Sequence, residues 1–162
     1  MKCLVFSDSH RNTANMNKAL RLHPDAEVVF FLGDGLSDAY KVSSTDRMRA
    51  WLTVAGNCDL DPTFGSEFCK KTDQITLEDH RIVLTHGDLY GAKYGVGGLL
   101  SLAKERSARI VLFGHTHEPH EKYYPEYEVY LFNPGSIAAG SYGIMTLTDK
   151  GVLFSHGNIY PC

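Results

Sequence analysis

Six short polar clusters hold most of the chemically capable side chains of this 162-residue chain: SDSH at 7–10, GDG at 33–35, GNCD at 56–59, THGD at 85–88, GHTH at 114–117 and NPGS at 133–136. Together they offer Asp8, His10, Asp34, Asn57, His86, His115 and His117. These are carboxylates, imidazoles and an amide oxygen, with no thiolate, a donor set that suits Mn, Fe, Co, Ni, Zn or Mg better than copper(I) or an iron–sulfur cluster. Asp8 and His10 are separated by one residue, as are His115 and His117, and in extended backbone such neighbours project to the same side. Asp34 can bridge two cations, while Asn57 and His86 add a neutral oxygen and an imidazole. The inventory serves two metal sites.

Each cluster follows an apolar run where a buried strand should end. The runs are Cys3–Phe6, Val28–Leu32, Trp51–Ala55, Ile82–Leu84, Ile110–Phe113 and Val129–Phe132, all rich in β-branched or aromatic residues. A helix is expected from Asn12 or Thr13, with Met16, Ala19 and Leu20 on one face, and another over Gly98–Ser107 with Leu99, Leu102 and Ala103 inward. Turns at Glu78–Arg81 and Asp149–Gly151 add hairpins, the second joining Tyr142–Leu147 to Val152–His156. The pattern predicts an α/β fold with mixed sheets and a single domain over residues 1–162, without repeats or linkers. In open α/β sheets ligands collect at the carboxyl ends of strands, so the clusters should converge on one crevice.

Taken singly, the clusters say little. Asp-Ser-His after a strand is more often a helix cap than a ligand pair, GD and HG are ordinary turn dipeptides, and GNCD could be a plain turn. GHTH is stronger, because two imidazoles on one face are costly for packing alone. The conjunction of six such clusters at strand ends decides for a site. His23, His80 and His156 read as structural or exposed, and His120 as an exposed loop residue. Pro134 and Gly135 are expected to shape a loop behind the site.

Bulk properties exclude other classes. Sixteen Lys plus Arg against nineteen Asp plus Glu give a net charge of −3, with no basic stripe to bind nucleic acid sequence-specifically. No apolar run is long enough to span a membrane. Cys3, Cys58, Cys69 and Cys162 are scattered and form no CxxC pair, so a reducing, cytoplasmic location is expected. Homo-oligomerisation stays open.

The ordered set D-x-H, GD, GN-x-[DE], H-G and GHTH resembles the calcineurin-like metallophosphoesterases, and chain length and the closing NPGS resemble their small phosphodiesterase branch, related to Vps29. That resemblance implies a four-layer α/β/β/α sandwich and two divalent metals, Mn2+ first. It implies Asp8, His10, Asp34 and His117 around one metal and Asp34, Asn57, His86 and His115 around the other, with Asp34 bridging. The expected activity is hydrolysis of a small phosphate ester, a diester before a monoester, by a metal-bridging hydroxide, with Asn57 stabilising charge and Asp59 orienting Asn57. One departure matters: many relatives carry His after the GN Asn, whereas Cys58 stands here, and a thiol is a doubtful general acid for a poor leaving group. The alternative is a noncatalytic Vps29-like interaction module, against which the complete ligand set argues.

Overall fold

A strand that is apolar on both faces must be covered on both sides, and nearly every run that follows this rule here does so. The computed structural model describes residues 1–59 and 70–161, so Cys69 and Cys162 lie outside the described residues. In chain order the elements are β1 (Lys2–Phe6), α1 (Thr13–Leu22), β2 (Val28–Phe31), α2 (Leu36–Thr45), β3 (Ala50–Thr53), β4 (Thr72–Leu77) and β5 (His80–Thr85). There follow α3 (Gly97–Arg106), β6 (Ile110–Leu112), β7 (Pro119–Tyr124), β8 (Val129–Pro134), β9 (Ser141–Thr148) and β10 (Gly151–Asn158).

The strands form two five-stranded sheets, ordered β10-β9-β1-β2-β3 and β4-β5-β6-β8-β7. Each has a parallel trio, β1-β2-β3 or β5-β6-β8, the first with an antiparallel neighbour on one side (β9) and the second on both (β4 and β7). The period of two along each strand builds the layers. Cys3 and Val5 enter a core between the sheets with Phe30, Leu84, Leu112 and Phe132. Leu4 and Phe6 face the other way, onto Met16, Ala19 and Leu20 of α1 and Ala39 and Val42 of α2. On the second sheet Val83, Val111 and Leu131 meet Leu99, Leu102 and Ala103 of α3. The result is the expected α/β/β/α sandwich of mixed sheets. No described helix is long and apolar enough to cross a membrane.

Asn12 caps α1, its side chain accepting from the Asn15 N–H at 3.1 Å. Two elements go beyond the sequence expectation. Helix α2 is rich in Ser, Thr and Val, indifferent helix formers, and its N-cap Gly35 makes no side-chain bond. Tertiary burial of Leu36, Ala39 and Val42 holds it instead. Strand β7 (PHEKYY) is a charged, Pro-started edge strand paired to β8, the composition that guards sheet edges against foreign strands. It carries His120, which is therefore not in a loop but half-buried with its ring 5.8 Å from Phe113.

The other three histidines pack structurally. His23, the C-cap of α1, reaches the Tyr142 hydroxyl at 2.9 Å. His80 opens β5 and meets the Thr148 carbonyl at 3.2 Å. His156 stacks on Phe132 and donates from Nε2 to the Asn133 carbonyl at 2.7 Å.

Phe132 lies fully buried between the sheets and stacks on Phe154 as well as His156. Phe132→Ala is expected to cost about 3–5 kcal/mol of stability, read from urea unfolding. A loss below 1 kcal/mol would show that the two sheets are not locked there.

Candidate metal centre

Asp8 follows β1 and is completely buried. Its two carboxylate oxygens are treated differently. Oδ2 accepts from Ser7 Oγ at 2.5 Å and from the His115 N–H at 3.2 Å. Oδ1 is buried with no hydrogen-bond partner. Instead it faces three imidazole Nε2 atoms, of His117 at 3.2 Å and of His10 and His86 at 3.9 Å each. A buried carboxylate oxygen without a donor, ringed by three imidazole nitrogens, is a site shaped for a cation.

The ligand atoms sort into two triads, each with all atoms within 4.8 Å of one another: Asp8, His10 and His117, and Asp34, His86 and His115. In the second, His86 Nε2 lies 3.3 Å from Asp34 Oδ2 and 3.2 Å from His115 Nδ1. His86 Nδ1 donates to the Leu32 carbonyl at 2.7 Å. A carbonyl can only accept, so one proton sits on Nδ1. Burial lowers the His86 pKa, but the bond to Asp34 and the charge of Asp8 outweigh it and raise it, and a cation at Nε2 would take the place of the proton shared with Asp34. Burial works against the Asp34 carboxylate, but the bond to His86 and the Cys58 N–H outweigh it and hold its pKa well below the usual carboxylate range. Burial, then His86 and Lys93, lower His115, which favours its neutral, ligand-competent form.

Sequence spacing suggested that Asp8/His10 and His115/His117 share a side through extended backbone. The structure gathers them differently. Asp8, His10, Asp34, His115 and His117 all adopt left-handed backbone, with φ of 55°, 42°, 57°, 70° and 63°. Asp and His tolerate this region better than most residues, yet it is sparsely populated, and a chain holds it only where neighbours insist.

Those neighbours are identifiable. Asp59 was expected to orient Asn57. Its carboxylate instead accepts four backbone N–H groups, from Gly56 and Asp34 on Oδ2 and from Gly35 and Leu36 on Oδ1, at 2.8–2.9 Å. It ties the loop after β3 to the loop carrying Asp34. A carboxylate outcompetes an amide for such a cluster of donors because the bonds are charge-assisted. Gly56 sits so close that an added Cβ would collide with Asp34 Oδ1, and one on Gly114 would collide with Ser7 Oγ. The NPGS cluster clamps the remaining loops: Asn133 Nδ2 donates to the Gly114 carbonyl and Thr116 Oγ1 at 3.0 Å each, and Ser136 Oγ donates to the Asp8 carbonyl at 2.8 Å.

Thus the structure places Asp8, His10, Asp34, His86, His115 and His117 in the two triads, with Asp34 in the second alone. Asn57 is exposed on the adjoining loop, its amide 3.6 Å from Cys58 Sγ. Cys58 and Asp59 line a cleft of about 360 Å³ with His10 and Asp34. Ser7 and Ser9 entered the sequence reading only as members of the SDSH cluster, and Asp38 not at all. Buried Asp38 accepts from Ser9 Oγ at 2.7 Å and the Arg11 N–H at 2.8 Å. Asn133 and Ser136 were flagged only as part of a shaping loop.

Residues 1–154 match the calcineurin-like phosphoesterase superfamily domain. The chain is 29% identical over 155 residues to the probable metallophosphoesterase YsnB of Bacillus subtilis, covering 92% of this chain and 86% of that protein. It is 27% identical to phosphodiesterase YfcE of Escherichia coli, covering 94% and 90%. Among solved structures, Vps29 of Entamoeba histolytica complexed with zinc superposes with a TM-score of 0.76 at 19% identity, covering 98% of this chain and 99% of that one.

Asp59→Ala removes no candidate ligand, yet it frees four N–H groups that hold the Asp34 and Gly56 loops. It should weaken Mn2+ binding about 10–100-fold, measured by isothermal titration. Gly56→Ala, which pushes on Asp34 Oδ1, should do the same. Binding unchanged in both would mean that loop pinning does not set the site.

Proposed function

The chain belongs to the calcineurin-like phosphoesterase superfamily, and from that premise we propose that it is a metal-dependent phosphodiesterase with a dinuclear centre. One observation carries the reading: two ligand triads meet around a buried, donorless Asp8 Oδ1 beside an open cleft. Asp8, His10 and His117 would hold one divalent cation, and Asp34, His86 and His115 the other. Asn57 would complete the second set, and Asp34 would be shared between the two.

When bound, two such cations acidify a water enough to make it a nucleophile near neutral pH and neutralise the phosphoryl oxygens. The chain's own part is positional. The Leu32 carbonyl fixes the Nδ1 proton of His86, Ser7 and the His115 N–H turn Asp8 so that Oδ1 faces the imidazoles of His10, His86 and His117, and the Cys58 N–H holds Asp34 Oδ1 at 2.8 Å. Asn57 offers its amide to charge developing on the phosphoryl group. No side chain of the centre is needed as a covalent nucleophile.

Cys58 occupies the position from which an imidazole would protonate a departing alkoxide, and it is exposed to the cleft. A thiol is the weaker donor for that step, which supports diesters with good leaving groups over alkyl monoesters. Mn2+ is the first candidate metal, and a cytoplasmic enzyme acting on a small phosphate ester fits the whole. The competing reading, a noncatalytic interaction module, draws on the fold shared with Vps29. The two triads weigh against it, since a scaffold gains nothing from a buried carboxylate oxygen left without a donor.

The protein reloaded with Mn2+ should carry two equivalents of metal and hydrolyse bis(p-nitrophenyl) phosphate. Asp8→Asn, and His115→Gly, which suits the φ of 70°, should abolish that hydrolysis while leaving the melting temperature within about 4 °C. Full turnover in either variant would sink the proposed centre. Cys58→His should raise turnover of alkyl phosphates by about tenfold or more; no gain would refute the role given to the missing imidazole.

A further inference from the structure

The cleft beside the two triads is lined by acid: Asp34, Asp38 and Asp59 all contribute. Among the described lining residues, one side chain carries a fixed positive charge, that of Arg11. Three carboxylates around one guanidinium would ordinarily yield an ion pair, yet among the described residues Arg11 forms none. Five of the six carboxylate oxygens are already committed, Asp38 Oδ1 being the exception. Asp59 accepts four backbone N–H groups, Asp34 takes the Cys58 N–H and His86, and Asp38 Oδ2 takes Ser9 Oγ and the Arg11 N–H itself.

The Arg11 backbone is held in an unusual state. Its φ is 71°, a left-handed conformation that a long side chain adopts rarely. The 2.8 Å bond from its N–H to buried Asp38 holds it there. Glycine would take this φ without strain, so packing does not call for arginine. Strain retained at a cleft wall, with the charged head left free, points to a task for the guanidinium. Its planar fork matches a phosphate with two parallel hydrogen bonds. Cations held by the triads would neutralise the phosphoryl group undergoing attack, whereas any further phosphate on the substrate would meet the acidic wall unless a cationic side chain received it.

We infer that Arg11, one residue from the candidate ligand His10, binds a second phosphate on the substrate, so that the favoured class is phosphodiesters bearing an additional phosphate group. The inference rests on the phosphodiesterase reading above. Arg11 is then a specificity-determining residue, and its partner Asp38 the positioning residue that aims it.

The test compares two esters with the same leaving group, thymidine 5′-(p-nitrophenyl phosphate) and its 3′-phosphorylated form, on the Mn2+-loaded full chain. The wild type should prefer the phosphorylated ester at least tenfold in kcat/KM, mainly through KM. In Arg11→Gly the preference should fall to near unity, with two metals still bound and a melting temperature no lower than that of the wild type, and Arg11→Lys should keep part of it. Equal kcat/KM for the two esters in the wild type, or a preference that survives in Arg11→Gly, overturns the inference while leaving phosphodiesterase activity standing. Failure to hydrolyse either ester overturns both readings together.

Discussion

A carboxylate oxygen taken out of water without a donor is costly unless a cation reaches it, and Asp8 Oδ1 is such an atom. Much of the surrounding architecture follows from that one constraint. Strand β1 runs through the centre of its sheet, so the residue after it is delivered to full burial. Ser7 and the His115 N–H saturate the opposite oxygen, which leaves Oδ1 facing His10, His86 and His117, one nitrogen from each of three separate loops. Two β-sheets are needed for this, because β1 supplies the carboxylate from one and β5 and β6 bring His86, His115 and His117 from the other.

Convergence on that point is costly to the backbone. Five candidate ligand residues sit at positive φ, each at a cost of order 1–3 kcal/mol. The strain persists because the loops are bound to one another more than to solvent. Asp59 gathers the loops after β2 and β3, Asn133 and Ser136 gather those after β6 and β1, and the Ile137 N–H adds a bond to the Ser7 carbonyl at 2.9 Å. His156, stacked on Phe132, extends the clamp to the Asn133 carbonyl. The NPGS segment thus acts as the common backing of two ligand loops.

The layers and most strands were legible in the sequence because burial on both faces leaves a continuous apolar run, as in VVFF of β2 and IVL of β6. The candidate ligands were legible because few structural needs place so many Asp and His directly after such runs. Other features were hidden for physical reasons. Helix α2 draws its stability from Leu36, Ala39 and Val42 against the sheet rather than from propensity or a cap. Edge strand β7 looks like loop because its charges face water. Left-handed backbone at Asp8 and His10 has no sequence mark when the residue is not glycine. Asp59 was noticed for its proximity to Asn57, while its true partners are N–H groups, one in its own loop and three some 23–25 residues earlier, a pairing only the fold creates.

The two triads also differ in exposure, and the difference follows from the same topology. Asp34 and His86 are buried and His115 is half-buried, whereas in the other triad only Asp8 is buried and His10 and His117 are exposed. His86 directly follows β5 and anchors its ring on the Leu32 carbonyl; His10 and His117 lie two positions beyond Asp8 and His115 on their loops, with Nε2 atoms 3.3 Å apart at the surface. On the proposed reading, the deep triad gives a cation a dry, rigid seat, and the shallow triad sets a second one at the mouth of the cleft, where an incoming ester arrives first. An asymmetric pair of this kind separates holding from receiving, and it does so with ligands of the same type because burial alone distinguishes them.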